Sequence, residues 1–218
     1  MAVFFTRRGE PPSLGKKLSD YAEGDVVKIN ENGTSVEFYV AKHDYESELN
    51  GAGRTLVVRK DVYSNRVWDS GEVNAYVSSD LDYWFSVTYR GMLDADLRSL
   101  IGTTKIRYTP GNGNNTVGTL ARPIFALSAT ELGHSASGLN VEGSALPIAS
   151  TLRIAYRNGS ATTQWTRSPY TLSTSLAWFL TSDGYITLNL CNVSNGFRPA
   201  FTLPSTTKFD PDTNIIIG

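Results

Sequence analysis

Two histidines, one cysteine and a few close-set carboxylates are the residues of this chain best suited to chemistry, and their spacing limits what that chemistry can be. His43 and His134 are its only imidazoles. Nucleophilic catalysis would need one of them beside a serine or cysteine and a third, orienting group, and no Gly-x-Ser-x-Gly elbow is present. His134 lies in a Gly/Ser-rich stretch and His43 follows a strand-like one, so both read as solvated or structural. Cys191 is the single cysteine, which excludes an intrachain disulfide, a redox pair and a cysteine-built zinc cage. Asp44, Glu46 and Glu48 form one acidic cluster, Asp94 and Asp96 another. Paired acids run hydrolysis when one is desolvated; here both groups sit in polar segments and read as solvated faces. Asp210-x-Asp212-x-Asn214 copies the first ligands of a calcium loop without its glycine and closing glutamate. Gly111-Asn-Gly113 lacks the third glycine of a phosphate-cradling turn. The expectation is a protein that is not an enzyme and uses no cofactor or metal.

The composition narrows the partners. The 218 residues carry 20 Lys+Arg against 21 Asp+Glu, without the basic footprint that binding along a nucleic acid backbone requires. The apolar runs Val3-Phe4-Phe5 and Ile215-Ile216-Ile217 fall far short of the ~20 residues that span a bilayer, so no membrane insertion is expected. The opening Met-Ala-Val-Phe-Phe-Thr-Arg-Arg puts its charges after an apolar patch, the reverse of a signal peptide, and the chain is expected to be made in the cytoplasm. Only 11 of its 41 charged residues lie beyond Thr109, so the second half is kept in solution by Ser, Thr and Asn.

The elements that must position any site follow from pattern. Residues 1–21, with Pro11-Pro12, read as an N-terminal arm, residues 22–207 as one domain and 208–218 as a tail. Asp25 to Asn30 and Ser35 to Lys42 alternate around Asn32-Gly33, the strongest short hairpin signal. Thr55 to Lys60 predicts a third strand. Ser79-x-x-Asp82 caps a helix over 79–90, with Gly91 as its end, and a second helix follows over 94–101. Thr103 to Thr109 is strand-like and runs into Pro110-Gly-Asn-Gly-Asn-Asn115, a loop. Ser128-x-x-Glu131 opens a short turn, 133–151 is irregular, and strands are expected near 152–157, 164–167, 176–181, 185–191 and 199–203. The class is α+β.

The segment most suggestive of function is Tyr170 to Phe197, where Asp183 is the only charge, while 11 of 28 residues are Ser, Thr or Asn and five are aromatic. Rigid rings among small hydrogen-bonding side chains match the make-up of antibody-like binding surfaces; a β-rich core with buried aromatics is the other reading.

Several stretches together resemble a family: Gly24-Asp25-Val26-Val27, Phe38-Tyr39-Val40-Ala41, Tyr76-x-Ser78-Ser79-Asp80-Leu81-x-x-Trp84-Phe85, Trp165-Thr-Arg-Ser-Pro169, Ser182-Asp183-Gly184 and Gly196-Phe-Arg-Pro-Ala-Phe201. Over residues 22–205 the chain looks like the DUF6273 group, a C-type-lectin-like family related in fold to formylglycine-generating enzymes and found in prophages. The resemblance implies a C-type-lectin-like fold with an early hairpin, two helices and a C-terminal set of short strands and long loops. It implies a receptor-binding protein of phage or prophage type, virion association, and as partners a protein or glycan on a bacterial surface together with other phage structural proteins. Related proteins are diversified at NNY codons, which cannot encode Lys, Glu, Gln, Met or Trp; between Thr166 and Thr207 only Trp178 is of a forbidden type. The ligand-contacting positions implied are Tyr170, Leu172, Thr174, Trp178, Leu180, Tyr185, Thr187, Asn189, Asn192, Ser194, Asn195 and Phe197, with Trp178 held constant. Trp165, Arg167, Asp183 and Arg198 would be scaffold, Asp183 pairing with one arginine so that Asp183→Ala unfolds the C-terminal lobe. The cysteine pair of formylglycine-generating enzymes and the calcium elements of sugar-binding lectins are missing. The alternative is a structural virion or cell-surface module with the same fold and no diversified site.

Overall fold

A computed structural model describes residues 15–213 and 215–217. Its centre is a four-stranded antiparallel sheet in the order Ala200–Pro204, Arg54–Arg59, Thr34–Lys42, Val26–Glu31. The hairpin forms where the Asn-Gly pair predicts it: Glu31 pairs with Thr34, and Asn32 and Gly33 both take positive φ, 50° and 73°, as a two-residue type I′ turn requires. In the third strand Thr55 to Val58 are all 0 % exposed, so both faces of the sheet are covered. Phe38, Val40, Val57, Phe201 and Leu203 pack on one side with the helical region. Ala41, Leu56, Val58 and Ala200 pack on the other with Phe125, Leu127 and Leu146. Adjacent Val40 and Ala41 serve opposite cores because successive strand side chains point to opposite faces, and the register with the neighbouring strand slips between Val40 and Lys42, a bulge.

Ser79 caps the helix as its spacing predicts, accepting from Asp82 N–H at 3.1 Å. The helix nevertheless runs through Gly91 to Met92, and its middle, Trp84–Tyr89, is a π turn. Burial of Trp84, Phe85 and Tyr89 outweighs the modest helix cost of one glycine. The second helix is Ala95–Leu100. Where a strand is expected over 152–157, the structure has a helix, Ala149–Arg153, and then a strand, Ala155–Arg157. Remote side chains stabilise that helix end: Gln164 donates to the carbonyls of Leu152 and Arg153, and Arg198 donates to Leu152, satisfying groups that a short helix leaves open.

A second, three-stranded sheet joins Gln164–Pro169, Leu176–Leu180 and Ile186–Leu190. Two-stranded pairs complete the architecture, among them Thr104–Tyr108 with Gly118–Arg122, and Ser64–Arg66 with Asn195–Phe197. The whole is a mixed α+β arrangement of few short helices and many antiparallel strands in small sheets. Lys16–Lys17 pairs with Lys208–Phe209, which pairs with Ile216–Ile217, and Leu18 and Phe209 are both buried in the main core. The rest of the predicted arm, residues 1–14, and Asn214 lie outside the described residues. Among the described residues no helix is long and apolar enough to cross a membrane.

Candidate functional site

The strand directions divide the implied contact residues into two groups. Leu176–Leu180 runs one way and Ile186–Leu190 returns beside it. The 181–185 turn therefore stands at one end of this hairpin and the 170–175 and 191–194 segments at the other, about 16 Å away for five residues of strand. Tyr170, Leu172, Thr174, Asn192 and Ser194 gather at the second end. Tyr185, 70 % exposed, stands at the first, beside Ile154 and Arg153, which flank Gly184. Thr187 and Asn189 lie on the intervening strand, exposed and half-buried. Trp178, Leu180, Asn195 and Phe197 are buried: Phe197 packs 4.5 Å from Trp84 in the main core and Trp178 meets Tyr170 edge-on at 5.5 Å.

At the second end four loops converge. Their organiser is Asn74, 0 % exposed, which has no motif to announce it in sequence. Its side-chain nitrogen lies 2.8–3.1 Å from the carbonyls of Tyr170, Ser173 and Leu176. Its side-chain oxygen accepts from Asn112 N–H at 2.7 Å, and its backbone N–H donates to Thr174. Asn115 donates to the Thr171 carbonyl, Asn140 to the Asn115 carbonyl, and Thr171 N–H to Gly138. Gly138, at φ 79°, lies so close beneath Tyr170 that a Cβ there would stand 2.2 Å from the ring. The 110–117, 136–141, 170–175 and 191–195 stretches carry no charged residue, and they expose Leu172 and Val141 at 69 % and 72 %. The loop 110–115 is thus a bonded part of this face, where its composition alone suggests only flexibility.

Beneath the loops lies a buried polar network. Arg167, 0 % exposed, pairs with Glu131 at 2.6 Å and donates to the carbonyls of Ala126, Arg107 and Glu142. Tyr45 donates to Glu131 and Ser168 to Glu142, while Thr109 N–H reaches Glu142 at 2.5 Å. The Ser128-x-x-Glu131 turn closes on itself as its spacing predicts, and that closure aims the Glu131 carboxylate at Arg167. Asp183 does not pair with an arginine. It is exposed in the 181–185 turn, where the Thr181 hydroxyl donates to it. Arg198 is 4 % exposed and bonds carbonyls of Arg59 and Leu152 and the Gln164 side chain instead; burial pulls it down to about 10. Trp165 anchors its strand by donating to the Arg66 carbonyl.

The chemistry-bearing residues are held in structure. Both ring nitrogens of His43 are 2.9 Å from partners, Thr55 and the Tyr21 carbonyl. Burial and then Arg153 depress the His134 imidazole below its usual range. The Cys191 thiol is buried and pushed up to about 12, which leaves little reactive thiolate. Arg107 bridges Glu46 and Glu48, and Asp44 accepts from Gly53 N–H. Among the described residues no group of three His, Cys, Asp or Glu is placed to hold a metal ion.

The family model for DUF6273, a domain of unknown function, matches residues 52–205. The chain belongs to the DUF6273 family. The matched span holds Asn74, the Arg167–Glu131 pair and the four loops, whereas the hairpin Val26–Lys42 that completes the central sheet precedes it. No curated protein and no solved structure matches the chain. The family description assigns no activity, so function in this DUF6273 chain rests on its own geometry.

That geometry carries one pH prediction. Burial raises the Glu142 carboxyl, opposed by Arg167 and by the bonds from Ser168 and Thr109. A carboxyl raised on folding holds its proton more tightly in the folded chain. Its contribution is therefore complete below the unfolded value of 4.5 and lost as pH rises through the folded value. Glu142→Gln keeps the shape and an acceptor for Thr109. The variant is expected to match or exceed wild-type stability near neutral pH and to show a flatter profile above pH 4.5, read from urea midpoints. A profile as steep as wild type would remove Glu142 as the source.

Proposed function

We propose that this DUF6273 protein is a non-catalytic binding module of phage or prophage type, with a C-type-lectin-like fold, whose charge-poor loop face, with Glu72 bonded to Asn192 as a carboxylate on it, engages a protein or glycan receptor on a bacterial surface. The observation that carries this reading is that the single buried Asn74 joins the uncharged 110–115 and 170–176 segments, with 136–141 tied to both through Asn140 and Gly138. Pre-organised loops lose little entropy on binding, and exposed apolar side chains amid Asn, Ser and Thr suit an adaptable, rigidly backed contact surface. The exposed subset of the segment 170–197 supplies the variable contacts: Leu172, Thr174, Asn192 and Ser194 on the loop face, and Tyr185 and Thr187 along the hairpin toward its other end.

Deep sequencing of the 3′ half of the gene across a bacterial population carrying it tests this. Substitution written as NNY at those six codons, with Trp178, Leu180, Asn195 and Phe197 constant because they are buried, is the expected pattern. Scattered or absent variation would overturn the diversified face and favour a fixed structural module.

A further inference from the structure

A groove away from the loop face runs along the helix that contains the π turn, a geometry that recurs at functional positions. Two cavities of about 390 and 380 Å³ share Ser86 and Val87. The first is bounded by Tyr83 and, across from the helix, by Ala121, Arg122 and Pro123. The second continues past Arg90 and Gly91 to Arg98. Together they follow the helix for about 10 Å between Tyr83 and Arg90.

The charges in this groove are unbalanced. Arg122 is committed to Asp82 by contacts of 2.7–3.0 Å. Among the described residues no carboxylate pairs with Arg90 or Arg98, and the one side-chain bond of Arg98 is a 3.4 Å contact with the Gly91 carbonyl. The Ser86 hydroxyl oxygen is buried without a partner. At the other end Tyr83 and Val87 are 65 % and 52 % exposed. One groove thus offers two guanidinium groups and an exposed aromatic ring in succession, with the unpaired Ser86 hydroxyl buried beneath them.

We infer that this groove binds an acidic glycan, with a sugar carboxylate on Arg90 and Arg98 and a neighbouring sugar ring against Tyr83. A guanidinium fork matches a planar carboxylate, and a sugar ring offers an apolar C–H face to Tyr83. An extended peptide fits less well, because strand addition needs a row of unpaired main-chain groups; one wall is a helix with its own bonds made, and the edge strand Gly118–Arg122 reaches the groove only at its last two residues, where the Arg122 side chain takes the Ala121 carbonyl and Pro123 follows without an N–H. The groove shares no lining residue with the four loops, so the inference stands or falls independently of the receptor reading.

The test titrates the intact protein with oligogalacturonate, followed by calorimetry. Its methyl ester, which keeps the rings and hydroxyls, and oligoglutamate, which keeps only the carboxylates, are the controls. Saturable binding of oligogalacturonate alone is expected. Arg90→Ala with Arg98→Ala should weaken it about tenfold or more, in line with losing charge-assisted hydrogen bonds, and Tyr83→Ala severalfold. Thermal midpoints should be unchanged, since Arg90 and Tyr83 are exposed and Arg98 is half-buried. No saturation, equal affinity in the arginine variant, or equally tight oligoglutamate binding would each overturn the inference.

Discussion

Arg167→Met is expected to lower the free energy of unfolding by about 4 kcal/mol, the scale of breaking one buried ion pair by removing a single partner. The guanidinium is fully buried, pairs with Glu131 and satisfies the Ala126, Arg107 and Glu142 carbonyls. Methionine fills similar space but leaves the buried Glu131 charge without its counter-charge, held only by the Tyr45 hydroxyl and Ser128 N–H, and takes a donor from each of those carbonyls; uncompensated buried groups dominate the loss. Arg167→Lys should recover little, because an ammonium cannot reproduce a fork spread over the carboxylate and carbonyls on several sides. Pairing Arg167→Met with Glu131→Leu should restore part of the loss, as the second change removes the stranded charge. Asp183→Ala, by contrast, should stay within about 0.5 kcal/mol of wild type, because Asp183 is exposed and bonds only within its own turn. Urea unfolding of the four variants decides the matter. A loss under about 1 kcal/mol for Arg167→Met would mean that the pair behaves like a surface ion pair.

Asn74→Ala should loosen the candidate face itself. One side chain bonds three carbonyls of the 170–176 segment and one N–H of the 110–115 loop; alanine strands the Ser173 carbonyl and the Asn112 N–H and leaves the Tyr170 and Leu176 carbonyls one donor each. At 1–3 kcal/mol for each stranded group, partly relieved by entering water, a loss of about 3 kcal/mol is expected. Faster amide hydrogen exchange should be confined to 111–114 and 170–176, with the sheet strand Arg54–Arg59 still protected. If these loops form the receptor face, binding should fall with their order, because the ordering entropy would then be lost at the moment of contact. Asn74→Asp separates the two halves of the role. It keeps the acceptor for Asn112 and loses the donors, so the 170–176 loop should be freed first. Unchanged exchange in both loops would show that they hold themselves together without Asn74.

How much of this was legible in the sequence depended on the range over which the physics acts. The Asn32-Gly33 hairpin, the Ser79 cap and the Ser128-x-x-Glu131 turn are set by groups within four residues of each other, and each formed at its predicted place. The strands near 164–167, 176–181, 185–191 and 199–203 followed from apolar and β-branched runs between turn residues, and all four are present. The helix at Ala149–Arg153 was not legible, because its closing bonds come from Gln164 and Arg198.

The site divided along the same line. Composition alone determined that the chain has a charge-poor, Ser/Thr/Asn-rich segment, two isolated histidines and one cysteine. Only the tertiary structure decided that Phe197 is core, that Tyr185 stands apart from Leu172, that Arg167 meets Glu131 and not Asp183, and that Asn74 joins the 110–115 loop to the 170–176 segment. Local pattern specifies which face a side chain takes, since strand and helix periods are short. Which buried charge meets which depends on how distant segments are brought together, and there the cost of leaving any buried polar group unpaired selects the partner.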